Sequence, residues 1–112
     1  MLYVTIGLFA LAALMGLRVI TALVQKKETP KPIVYSHGIL AASGLLLLII
    51  YSVQHPENYP KTSLIVFILA ALGGFYLFFR DMNKKPGPVA IAVIHALAAV
   101  IAFVVLLLFA FK

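Results

Sequence analysis

His37 and His95 are the residues of this 112-residue chain best suited to chemistry. Each lies inside a long apolar run, where Arg18 is the other ionisable residue of any depth. Burying such a group in a bilayer costs on the order of 2.5 kcal/mol or more, so an intramembrane imidazole points to a task. A neutral imidazole offers a ring nitrogen to a metal, and near neutral pH it also passes protons. His37 follows Pro32 by about five residues and His95 follows Pro88 by about seven, which at roughly 1.5 Å per residue puts both about 8–11 Å below one membrane boundary. The two imidazoles are expected in one layer.

Their neighbours on the same helical face are small. Four and seven residues beyond His37 stand Ala41 and Gly44, and beyond His95 stand Ala99 and Ala102. Ala92 and Ala98 add further small side chains, and Gly16 and Gly74 thin two neighbouring walls at about the same depth. Such residues leave room for a broad, flat, apolar body held between two axial nitrogens. They are also how membrane helices pack closely without a cofactor, as in Gly38 to Ala42, Ala92 to Ala96 or Ala98 to Ala102. In that case each histidine would be hydrogen-bonded to a hydroxyl such as Ser36, Thr21 or Tyr76.

Other candidates are weaker. His55, beside Pro56 and Glu57, reads as a solvated loop residue, and Glu28 and Asp81 flank basic residues whose charge they moderate. Paired carboxylates, a nucleophile with its base, and a glycine-rich phosphate loop are all missing from the sequence, so hydrolysis and phosphoryl transfer have no machinery. There is no cysteine, which removes disulfides, thiolate metal sites and cysteine nucleophiles.

The elements that position the histidines are four apolar runs, roughly Leu2 to Val24, Pro32 to Val53, Thr62 to Phe79 and Pro88 to Phe111. Each approaches or exceeds the ~20 residues a helix needs to cross the hydrocarbon layer. That layer offers no water to backbone amides, so each run is expected to be continuous helix. The connections are short and hold breakers: Pro30 in the first, Pro56 and Pro60 in the second, Pro86 in the third. Short connections place each helix antiparallel beside the last, giving an all-α, integral membrane four-helix up-and-down bundle in one domain, 1–112.

Apolar residues make up 64 % of the chain and charged residues 11 %. A soluble domain could not bury that much apolar surface. The net charge of +6 does not point to nucleic acid, because the basic residues cluster at the ends of the apolar runs. Lys26, Lys27 and Lys31 lie in the first connection with Arg18 just before it, and Arg80, Lys84 and Lys85 lie in the third; Lys61 and Lys112 fall on the opposite side. The positive-inside rule then puts both termini outside the cytoplasm, with a bacterial inner membrane as the expected location. Tyr3, Tyr51 and Tyr59 would mark the outer interface, and Tyr35, Tyr76, Phe78 and Phe79 the inner one. The first run does not read as a cleavable signal, since its charges follow rather than precede it. Leu45 to Leu48 and Val104 to Leu108 read as lipid-facing filler.

The chain also resembles itself. A shift of 58 positions, the separation of the two histidines, superposes Phe9 on Phe67, Gly16 on Gly74, Lys26 and Lys27 on Lys84 and Lys85, Pro30 on Pro88, and Ile33 on Ile91. Leucine and alanine matches mean little in apolar sequence, whereas charged, proline and histidine matches in one register mean more. The expected unit is a helical hairpin present twice, as 1–58 and 59–112. Two hairpins of equal orientation are related by an axis along the membrane normal, and the imidazoles would be equivalent about it.

With these residues the chain resembles the membrane b-type cytochromes, in which histidines on facing helices of a four-helix bundle ligate haem iron on both faces. The resemblance implies haem b with His37 and His95 as axial ligands, a six-coordinate iron suited to electron transfer, and propionates neutralised by Arg18, Arg80, Lys84 or Lys85. Cytochromes of this kind commonly carry four such histidines for two haems; a single pair here implies one haem near the cytoplasmic side. A quinone and a redox protein or larger membrane complex are the partners this implies, besides the lipid bilayer; the small-residue faces of Gly73 and Gly74 leave open a second copy as partner. Two other functions use the same residues. One is a small proton or metal transporter centred on the histidines, and the other is a structural or assembly subunit of a larger membrane complex.

Overall fold

The computed structural model describes residues 1–85 and 88–112, so the expected breaker Pro86 lies outside the described residues. The described chain is all-helical, with four helices: α1 (Leu2–Val24), α2 (Lys31–Gln54), α3 (Lys61–Met82) and α4 (Val89–Ala110). At roughly 1.5 Å per residue each is about 33–36 Å long, enough to cross a ~30 Å hydrocarbon layer. All four have the length and apolar composition of membrane spans. α3 continues three residues past the expected Phe79 because Arg80, Asp81 and Met82 are compatible with helix, and charge need not end one at an interface.

Prolines define the starts. Pro30, Pro60 and Pro88 stand at the N-caps of α2, α3 and α4. The ring fixes φ and disfavours helical backbone in the preceding residue, so each proline divides helix from connection. The ends of α1 and α3 are closed alike. Lys26 and Lys84 both have φ 57°. Behind them the amides of Lys27 and Lys85 bond back to Ala22 O and Arg80 O, each at 2.9 Å. This Schellman closure satisfies the last helical carbonyls, and it places lysine in a left-handed position where glycine is the usual choice.

α1 packs against α2 and α3 against α4, and contacts of α1 with α4 and of α2 with α3 close the ring. At the centre the rings of Phe9 and Phe67 stack face to face, 3.9 Å apart and 6° from parallel. Leu48 and Leu106 are fully buried against them, with Ala102. These two leucines correct the expectation of lipid-facing filler: each shares its run with outward residues, Leu46 in one and Val104 and Leu108 in the other. A homogeneous apolar run carries no signal of which face turns inward. Many other large apolar side chains face out, among them Leu14, Leu17, Ile39, Leu72 and Ile94. That surface suits lipid rather than water.

At the lysine-rich end one polar cluster ties the first connection to α3. Asp81 receives Lys31 Nζ at 2.7 Å, and the buried Thr29 hydroxyl donates to its two oxygens at 2.8 and 2.9 Å. Lys31 Nζ also donates to Thr29 Oγ1 at 2.8 Å. Asp81 therefore does more than moderate loop charge; it joins segments far apart in sequence. Tyr35 and Phe78 meet at this end, with ring centres 6.2 Å apart. At the other end Tyr3 approaches Phe111 at 5.7 Å, and Tyr51 stacks on His55 at 4.1 Å. His55 itself is exposed.

Candidate histidine-pair site

His37 on α2 and His95 on α4 are half-buried and face each other across the bundle, their ring centres 6.3 Å apart and their planes 86° from parallel. Each ring is held by the helix paired with its own. His37 Nδ1 lies 2.7 Å from Ala12 O on α1, and His95 Nδ1 lies 2.7 Å from Ala70 O on α3. A carbonyl only accepts, so both Nδ1 atoms carry the proton and, in the neutral ring, Nε2 keeps a free lone pair. Among the described residues neither Nε2 has a hydrogen-bond partner.

The expected hydroxyl partners are engaged elsewhere. Ser36 bonds to Pro32 O and Thr21 to Leu17 O, each within its own helix, and Tyr76 lies under the Arg80 guanidinium. The carbonyl acceptors follow from the glycines. In a helix the oxygen of residue 12 accepts the amide of residue 16, and the side chain at 16 stands over that oxygen's outer side. With glycine there, a second donor reaches the carbonyl from the neighbouring helix. A Cβ added at Gly16 would lie 2.9 Å from His37 Cε1, and one at Gly74 would lie 3.0 Å from His95 Cε1. Ala12-x-x-x-Gly16 and Ala70-x-x-x-Gly74 are therefore the sequence signal for the seats.

The other predicted site residues divide. Ala41 and Ala99 are half-buried and add only methyl groups beyond the histidines. The room expected beside Gly44 is filled by the Phe9 ring, whose atoms would lie 3.1–3.2 Å from a Cβ there. Ala102 is fully buried and its carbonyl accepts the Ser63 hydroxyl at 2.7 Å. Gly73, expected on an association surface, turns toward His95 with Gly74. Gly38 and Ala42 are exposed, so that pair does not pack within the bundle. Arg18 is exposed. Arg80 and Lys85, with Tyr76, Phe79 and Asn83, line a cavity of about 440 Å³ at the lysine-rich end.

Among the described residues no group of three or more His, Cys, Asp or Glu comes together. Fold and site together define an integral membrane four-helix bundle with a paired-imidazole centre. No family model, curated protein or solved structure matches this chain.

Proposed function

We propose that this chain is a one-haem membrane cytochrome of the b type, an up-and-down bundle of two related hairpins in which His37 and His95 hold haem b near the cytoplasmic side. The observation that carries this reading is the matched pair of rings, their centres 6.3 Å apart, each with Nδ1–H given to a carbonyl and, among the described residues, Nε2 left unengaged where it could hold a haem iron. A carbonyl behind an imidazole fixes its tautomer and raises its basicity as a ligand. With two imidazoles from the chain, a cofactor that would bring further metal donors of its own suits the site better than a bare ion. When bound, haem supplies one-electron redox chemistry.

The chain's own residues have distinct parts in this reading. Gly16 and Gly74 seat the imidazoles and let each carbonyl reach its ring. Arg80 and Lys85 would offer positive charge to propionates at the lysine-rich end. The basic connections on one side support a cytoplasmic placement of that end and outward termini. A quinol is the electron partner that suits a site so close to one membrane face.

An assembly subunit is the second reading. It is favoured by the same hydrogen bonds, because an imidazole tying each helix to its neighbour stabilises a bundle without any cofactor. Transport is disfavoured, since an axial path for protons or metal would meet the Phe9, Phe67, Leu48 and Leu106 plug. The visible spectrum of the detergent-purified protein decides. A red preparation with a reducible b-type spectrum is expected; a colourless one that copurifies with a larger complex would establish the assembly role instead.

A further inference from the structure

A second cavity, of about 770 Å³, opens at the lysine-rich end between the ends of all four helices. Leu23, Tyr35, Met82 and Val89 give it apolar walls, while Lys26, Lys27, Lys31 and Lys84 place ammonium groups around it. Two carboxylates share the lining, Asp81 and Glu28. Asp81 is engaged by Lys31 and Thr29, which leaves it little capacity to neutralise anything else. Lys26, Lys27 and Lys84 are exposed and make no ion pair among the described residues.

The backbone adds an independent observation. Lys26 and Lys84 are the described non-glycine residues with positive φ, and both line this cavity. A left-handed conformation costs an L-residue roughly 1–2 kcal/mol that glycine avoids. The helix dipole accounts for a cation near each C-terminus, though not for lysine at the one strained position, since neighbouring positions would serve the dipole as well.

We propose that this cavity binds the phosphate of an anionic phospholipid, with Lys26, Lys27 and Lys84 around the headgroup and the Leu23, Met82 and Val89 walls against the start of an acyl chain. Three unpaired cations beside an apolar wall, at the boundary of a membrane bundle, match an amphiphile carrying negative charge at one end. The site is separate from the histidine pair, and its occupancy does not depend on haem.

The test uses the full chain in neutral detergent, with native mass spectrometry counting retained lipid. Phosphatidylglycerol and phosphatidylcholine of equal acyl chains are offered together, and inorganic phosphate is offered in a separate arm. Phosphatidylglycerol is expected to be retained in clear excess. In K26G/K84G the backbone strain is relieved, so folding is preserved or improved while two charges are lost. At about fivefold per lysine near a membrane surface, retention should fall roughly 25-fold. K61Q, at the opposite end of the bundle, should leave it unchanged. Equal retention of the two lipids, or undiminished retention by K26G/K84G, overturns the proposal. Displacement of the lipid by millimolar inorganic phosphate would overturn it too, assigning the site to a soluble anion.

Discussion

The α1–α2 pair and the α3–α4 pair agree closely around the histidines and in the lysine closures of α1 and α3, and they differ in the other contacts toward both ends. In the histidine layer both carbonyl contacts are 2.7 Å, and the two glycine approaches differ by 0.1 Å, at 2.9 and 3.0 Å. Farther along, Gly44 lies under the Phe9 ring, whereas its counterpart Ala102 keeps a side chain and its carbonyl takes the Ser63 hydroxyl. Thr5, the counterpart of Ser63, bonds to Met1 O within its own helix instead. At the lysine-rich end one pair supplies Thr29 and Lys31 and the other supplies Asp81. Equivalence is kept at the two rings and at the two lysine closures, and it is lost where one half grips the other.

The sharpest way to break this comparison is to remove one imidazole at a time. On the proposed haem-binding reading, His37→Ala and His95→Ala should each abolish the b-type absorbance, because each removes one of the two imidazoles that would hold the group; a variant that kept the parent spectrum would remove the ligand assignment. Gly16→Ala and Gly74→Ala come next. A methyl group at 2.9–3.0 Å from Cε1 must displace the ring. Overpacking of this kind costs about 1–3 kcal/mol, and the thermal midpoint in detergent should fall alike for both. Unequal shifts would show that the two seats differ in more than sequence.

Smaller effects probe the asymmetric regions. Gly44→Ala would bring a Cβ to 3.1 Å from a Phe9 ring that is already stacked on Phe67. Ala102→Gly would remove a buried methyl and add backbone freedom. Each should destabilise by about 1 kcal/mol despite being opposite exchanges, measured as a drop in thermal midpoint. Asp81→Asn should have the least effect, about 1 kcal/mol or less and fading at high salt, since its partner Lys31 is about one-third exposed.

Much of the architecture was legible in the residues. α1 spans the expected Leu2 to Val24, and proline cut the other helices within a residue or so of where they begin. Proline acts locally, through its own ring, so one sequence position is enough. The inward orientation of Leu48 and Leu106 was not legible, because neighbours equally apolar on every side erase the periodicity that marks a buried face. Depth and register place His37 and His95 in one layer, where the structure has them, while the acceptors the sequence suggests for them are hydroxyls. A backbone carbonyl leaves no letter in a sequence; only the glycine four residues on reveals that one is uncovered. The Thr29, Lys31 and Asp81 cluster escaped for a different reason, since it joins residues at least 50 positions apart with no periodic relation.

The stacked phenyl rings of Phe9 and Phe67, backed by two buried leucines, have a consequence for the two faces of the membrane. In the half of the bundle away from the lysine-rich end they form an apolar plug across the centre. On the proposed one-haem reading, electrons held between the imidazoles would be exchanged with one leaflet alone, leaving the voltage across the bilayer undrained.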